Sequence, residues 1–248
     1  MTVIVIPARA GSTRFPGKAT APLGGRPIVQ WTYEAATRAH SARRVVVATD
    51  CDRIAEVCRS FGAEVVVSQG AYTTGTDRIA AVVARWDTDC VVNLQGDEPF
   101  MDPDVIDRVV EAVRAGHPVA TAAGPLDEAC GRDPNQVTVL TDQSHRALYF
   151  SRADIPYRQS GVEFEELRGT GRVGAHLGIY GFTPAALAHI AATPPGILER
   201  SEGLEQLRFL ELGLPIKVVR APRTPVSINV PADLAAAEET EVVRRRSC

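Results

Sequence analysis

The sequence is nearly free of lysine: of its 27 basic residues only Lys18 and Lys217 are lysines and the rest are arginines. Codon usage in a GC-rich genome accounts for such a bias, yet it leaves Lys18 conspicuous. No apolar run approaches the roughly 18 residues that a membrane span requires, and the amino terminus lacks the basic-then-apolar order of an export signal. A cytoplasmic protein without membrane attachment is therefore expected. The five cysteines, at 51, 58, 90, 130 and 248, include no C-x-x-C pair and are odd in number, which excludes a zinc ribbon or a disulfide framework and indicates reduced thiols. There is no basic excess either. A net charge of −3 and a pI near 6.0 exclude extended nucleic-acid binding and direct attention to local anion sites. Internal repeats, low-complexity tracts and interdomain linkers are also missing, so the 248 residues are expected to form one domain.

What is present is an alternation of short apolar strands and amphipathic helices. Strand patterns at Val3–Ile6, Arg44–Ala48, Glu64–Val67, Cys90–Leu94 and Pro118–Ala122 are separated by helical patterns at Ile28–Ala39, Asp52–Phe61, Thr76–Trp86 and Pro103–Ala115. Uninterrupted apolar strands linked by helices predict a doubly wound, mostly parallel α/β sheet of Rossmann-like nucleotidyltransferase type. From about 125 to 182 the rhythm changes. Strands at Val137–Leu140, Ala147–Phe150 and His176–Phe182 surround a polar loop over 153–174, and predict a mixed or antiparallel insertion. Helical patterns at 184–192 and 202–212, a strand at Ile216–Val219 and a helix over 231–243 complete the chain.

Ligands of doubly wound sheets bind beyond the carboxyl ends of the strands. The loops there read IPARAGSTR, TD and QGDEP. In the stretch IPARAGSTRFPGK, small residues let backbone N–H groups approach an anion, Ser12 and Thr13 add hydroxyls, and Arg9, Arg14 and Lys18 add charge-assisted donors. This describes a phosphate clamp, although the stretch is neither a G-x-x-x-x-G-K-[ST] loop nor a G-x-G-x-x-G turn. An ordinary solvated surface loop is the plainer alternative. In NLQGDEP, residues 93–99, Asp97 stands at the end of a buried strand, where a carboxylate can hold Mg²⁺ bridged to substrate phosphates. A simple Gly-Asp turn is the alternative there.

IPARAGSTRFPGK, GGRPIVQWTYEAA, TTGTDRIA, NLQGDEP, ALYFSRADIPYR, HLGIYGF and GLEQLRFLELG follow one another in an order that resembles the 3-deoxy-manno-octulosonate (Kdo) cytidylyltransferases, the CMP-Kdo synthetases, over nearly the whole chain. The resemblance implies a sugar-nucleotidyltransferase fold, use of CTP and Mg²⁺, an acidic acceptor, and a homodimer with contacts largely from the carboxyl-terminal half. It implies that Arg9, Ala10, Ser12, Thr13, Arg14 and Lys18 handle the triphosphate, that Gln95 and Asp97 serve the nucleotide and metal, and that Arg78 helps hold the cytidine. Arg158, His176, Tyr180, Glu205 and Gln206 fall at positions resembling the acceptor pocket. Taken singly, His176 reads as a structural histidine and Tyr180 as a core residue.

The chain also departs from that pattern. The segment Ile228-Asn229-Val230-Pro231-Ala232-Asp233-Leu234 stands where relatives of this kind have a VDTPEDL-like stretch, so Asn229 replaces the aspartate that the resemblance implies as second metal ligand. An amide oxygen can coordinate Mg²⁺ but brings no charge. Tyr72 replaces a common histidine and Thr138 a common lysine. The leading expectation is a Mg²⁺-dependent cytidylyltransferase acting on Kdo or a Kdo-like sugar acid, with Lys18, Arg14 and Asp97 catalytic and Asp97 and Asn229 on the metal. A small phosphonate acceptor, already an oxyanion, is one alternative; a catalytically weakened CTP-binding protein is another. A glycosyltransferase fits poorly, because none of the three strand-end loops carries a D-x-D triplet.

Overall fold

Val3, Ile4, Val5 and Ile6 are fully buried and form the centre of strand β1, Thr2–Ala8. In the computed structural model, which describes residues 1–12, 14–70, 72–126, 135–157, 159 and 163–240, the chain divides into two compact units: residues 1–107 with 225 onward, and residues 108–224.

In the first unit a one-turn 3-10 helix at Lys18–Thr20 and a two-stranded hairpin, β2 (Pro22–Leu23) and β3 (Arg26–Pro27), lead into helix α1, Ile28–Thr37. The α1 face that carries Ile28, Trp31, Thr32 and Ala35 recurs every three to four residues and is buried. Then come β4 (Arg44–Thr49), α2 (Asp52–Ser60), β5 (Glu64–Val67), α3 (Gly75–Val83), β6 (Cys90–Leu94) and the start of α4 (Pro103–Arg114). β1 pairs in parallel with both β6 and β4, and β4 pairs in parallel with β5, as the βαβ pattern predicts. The last segment returns to this unit and ends in α9, Pro231–Glu238. Leu23, Ile28, Trp31, Ile228 and Ala237 share one core cluster with Phe15, Phe100 and Val226 packed against it. One hydrophobic contact set thus anchors the cationic loop, through Phe15, and the returning chain, through Val226 and Ile228.

The second unit is mixed. β7 (Val119–Gly124), β8 (Thr138–Thr141), β9 (Ala147–Ser151), α5 (Phe164–Gly169), β10 (Val173–Phe182), α6 (Pro184–Ala191), α7 (Ile197–Glu202), α8 (Gln206–Glu211) and β11 (Ile216–Arg220) follow in order. β11 joins β7 in parallel, while β7–β10, β10–β8 and β8–β9 are antiparallel. The α/β class and the antiparallel strands between 125 and 182 match expectation. Three local details differ. The expected polar loop contains α5, and β10 begins at Val173 rather than His176. The helical pattern expected over 202–212 is the shorter α8, Gln206–Glu211, and a separate helix α7 precedes it and ends at Gly203, whose φ of +65° is a left-handed conformation that ends a helix and that glycine enters without strain.

Candidate active site

The loop after β1 and the loop after β6 meet in an ion pair. Lys18 Nζ lies 2.6 Å from Asp97 Oδ2, with both side chains largely covered. Desolvation strengthens such a charge-assisted contact, and it places the chain's one loop lysine on the carboxylate expected to hold a metal. Gly96 before it approaches the neighbouring backbone closely: a Cβ there would stand 3.1 Å from the Pro7 carbonyl. The Gly96 carbonyl accepts a hydrogen bond from Thr32 Oγ1 of α1 at 3.1 Å. The loop is therefore held by β1 and α1 together.

Asn229 reaches the same place along the main chain. Ile228 N donates to the Asp97 carbonyl at 2.9 Å, and Ser227 Oγ donates to Glu98 Oε1 at 2.8 Å. Glu98 is buried, so this pairing is sheltered from water. Asp233 in the first turn of α9 accepts from Asn229 N at 2.7 Å and from Val230 N at 2.9 Å, a carboxylate bound to amino-terminal backbone donors. Asn229 is thus fixed one residue from the strand-like contact with Asp97.

Sequence reasoning stopped short of Asp50, which organises the other side of this unit. Its Oδ1 accepts from Ala10 N at 3.2 Å and its Oδ2 from Arg78 Nη2 at 2.7 Å. Burial by itself would raise the Asp50 carboxyl pKa, but the hydrogen bonds from Ala10 and Arg78 and the guanidinium charge outweigh it and hold the pKa below the usual value. Arg78 is buried, donates also to the Ser68 carbonyl at 3.0 Å, and lies 5.1 Å from the centroid of Tyr72. Tyr72, the departure from a common histidine, accepts from Ser68 Oγ at 2.7 Å. The signal for Asp50 was available, since it directly follows β4 in the loop "TD". Arg9, Ala10 and Arg14 are exposed, and Ser12 and Gln95 half-buried. Thr13 lies outside the described residues.

Within the second unit the structure brings His176, Tyr180 and Gln206 together. β10 slips register against β7 between Leu177 and Tyr180. Four residues of regular strand span about 13 Å, whereas the rings of His176 and Tyr180 are 5.3 Å apart, a convergence to which this bulge contributes. Tyr180 OH donates to Gln206 Oε1 at 2.9 Å. Gln206 Nε2 is buried with no hydrogen-bond partner among the described residues, a donor left for something that enters. Glu205 precedes it at the start of α8 and is half-buried.

The His176 imidazole is half-buried and packs edge-on against Phe150 with ring centroids 5.1 Å apart. Desolvation lowers its pKa well below the usual histidine value. Its Nε2 lies 2.9 Å from Thr121 Oγ1, and Thr121 spends its only hydroxyl proton on the Ile179 carbonyl at 2.7 Å. Nε2 must therefore carry the proton and donate, which leaves Nδ1 as the acceptor. Arg158, also expected here, lies outside the described residues. Beside this cluster Arg208 and Glu199, both buried, form an ion pair with Nε–Oε2 2.7 Å and Nη2–Oε1 2.9 Å, which joins α7 to α8.

The Cytidylyltransferase family pattern matches residues 3–217. The 3-deoxy-manno-octulosonate cytidylyltransferase of Acaryochloris marina is 44% identical to this chain over 238 residues, covering 94% of each. The chain belongs to the 3-deoxy-manno-octulosonate cytidylyltransferase family. Its counterpart from Syntrophotalea carbinolica is 43% identical, over 94% of this chain and 96% of its own. A solved structure of CMP:2-keto-3-deoxy-manno-octonic acid synthetase complexed with CTP superposes with a TM-score of 0.87 at 32% identity, covering 100% of this chain and 99% of the other. A cytidylyltransferase from Leptospira borgpetersenii shares the fold, with a TM-score of 0.60 at 19% identity over 94% of this chain and 82% of the other. Membership makes the chain a nucleotidyltransferase and gives the two residue clusters a common frame of reference.

Proposed function

We propose that the protein transfers CMP from CTP to 3-deoxy-manno-octulosonate and releases pyrophosphate. The observation that carries this reading is the Lys18–Asp97 pair at 2.6 Å at the end of the buried β6 strand, in a chain 44% identical to a curated Kdo cytidylyltransferase. The acceptor hydroxyl oxygen bonds to the α-phosphorus, its proton is released, and the α–β bridging bond breaks so that pyrophosphate leaves with the electron pair. The protein's part is positioning and electrostatics, with no covalent nucleophile. Arg9, Arg14, Lys18 and the small-residue backbone bind the triphosphate, and Asp50 orients both Ala10 N and Arg78. His176, fixed with Nδ1 as acceptor, and the unused Gln206 Nε2 donor serve the polar acceptor.

Among the described residues no group of three His, Cys, Asp or Glu side chains forms a metal cage. That suits Mg²⁺, which takes one or two carboxylates and otherwise water and substrate phosphate oxygens. Asp97 and the Asn229 amide would hold it. Once bound, Mg²⁺ would neutralise phosphate charge and lower the pKa of the attacking hydroxyl. Asn229 supports a second reading, a small phosphonate acceptor, because an oxyanion needs less of that help. Steady-state pyrophosphate release with CTP and Mg²⁺ over Kdo, a sialic acid and several small phosphonates separates the two. Kdo as the preferred acceptor supports the reading; a phosphonate alone overturns it in favour of the second, and silence throughout favours a CTP-binding protein.

We also propose a homodimer. Leu148, Tyr157 and Ile197 are 60%, 91% and 65% exposed in the second unit, and burial of apolar area drives association. Light scattering behind a sizing column should give twice the chain mass.

A further inference from the structure

A cationic concavity lies within residues 108–224. It has a volume of about 120 Å³, and Arg168, Arg172, Arg220, His145 and Thr141 are among its lining residues, with no acidic side chain among the described lining residues. Arg168 shares its charge with Glu165 at 2.8 Å. Neither Arg172 nor Arg220 makes a side-chain ion pair with a described residue.

The backbone around this concavity lets neighbouring segments approach closely. Residues 169–174 read Gly-Thr-Gly-Arg-Val-Gly and lead from α5 into β10. Because a strand rather than a helix follows, this is not a dinucleotide fingerprint. Gly171 is left-handed at φ +65°, and a Cβ there would collide with the Arg220 guanidinium. A Cβ on Gly124 would collide with Thr224 Oγ1, and one on Gly174 would come within 3.0 Å of the Gly124 carbonyl. His145, also in the lining, is the only described non-glycine residue with positive φ, at 56°. Its conformation is held by His145 N donating to the Asp142 carbonyl at 3.0 Å and by Val218 N donating to the His145 carbonyl at 2.9 Å. Arg108 Nη1 donates to the Arg220 carbonyl at 3.0 Å and steadies the end of β11. Two guanidinium groups with no ion-pair partner among the described residues, beside glycines and a maintained backbone outlier, are the elements of an oxyanion cradle.

We infer that this pocket binds a phosphate-sized oxyanion, either free inorganic phosphate or the terminal phosphoryl group of a nucleotide, through Arg172 and Arg220. Isothermal titration of inorganic phosphate into the full-length protein, at ionic strength held constant with chloride, tests it. Arg172→Ala/Arg220→Ala should weaken saturable binding about tenfold or more, while Arg14→Ala/Lys18→Ala should retain a saturable phosphate isotherm. Both arginines are exposed, so unchanged circular dichroism is expected, and Arg172→Lys should recover part of the affinity. CTP titrated into Arg172→Ala/Arg220→Ala identifies the source: unchanged CTP affinity assigns free phosphate, and a matching loss assigns the nucleotide's phosphoryl tail. The proposal is overturned if wild type shows no saturable phosphate binding, or if the arginine pair can be removed without loss.

Discussion

In the proposed reaction Asp97 is the carboxylate at the metal and triphosphate. Its carboxylate has a lysine at 2.6 Å and a main chain fixed by Ile228, so Asp97→Asn preserves the fold while removing the charge. Turnover should fall by about 100-fold or more with an unchanged melting temperature; near-wild-type rates would remove its role. Asp50 offers a separable effect. Asp50→Ala should raise KM for CTP about tenfold, the cost of losing a charge-assisted pair, with a smaller change in kcat. Because its folded pKa is lowered, ionised Asp50 contributes stability above its unfolded pKa of about 4, and that contribution is lost as pH falls through the lower folded value. Urea midpoints from pH 7 to pH 3 should therefore fall less steeply in Asp50→Asn than in wild type. Thr121→Val removes the partner that fixes the His176 tautomer. Nitrogen NMR of the imidazole should show one neutral tautomer in wild type and a mixture in the variant, with a several-fold rise in acceptor KM. A single unchanged tautomer would refute that assignment.

At the scale of elements, much was legible because the signals are local. β-branched runs such as Val45–Val47 and the 3.6-residue repeat of Ile28, Trp31, Thr32 and Ala35 each specify one type of element. The Asp97 loop was legible for the same reason, being a charged loop at the end of a buried, mostly apolar strand. What escaped was non-local. The bulge that brings His176 towards Tyr180 depends on register with β7, which no sequence window contains. The partnership of Asp50 with Ala10 and Arg78 links positions 40 and 28 residues apart. The late start of α8 at Gln206 was readable in principle from Gly203, but the apolar spacing of Leu204, Leu207 and Leu210 begins directly after it. Gly203→Ala should force a left-handed alanine and cost about 1 kcal/mol, measured as a lower urea midpoint; a gain in stability would show that the break is not required.

For the whole molecule, two compact units divide the labour that family membership predicts. The residues proposed for triphosphate and metal lie in 1–107 and 225–240, and those proposed for the acceptor, His176, Tyr180, Glu205 and Gln206, in 108–224. No helix among the described residues is long and apolar enough to cross a membrane. Asn229 stands where the family resemblance implies an aspartate: Asp233 holds its backbone and Ile228 bonds Asp97, so Asn229→Asp adds a charge without moving the backbone. If that charge limits hydroxyl activation, the rate with Kdo should rise in Asn229→Asp and any phosphonate activity should fall. The most direct test of the central claim is phosphorus NMR of the products from CTP, Mg²⁺ and Kdo, run with wild type and with Asp97→Asn. A CMP–Kdo phosphodiester signal growing in step with pyrophosphate, and absent with Asp97→Asn, is the predicted result. Unchanged CTP with wild type, or equal product from both proteins, would contradict it.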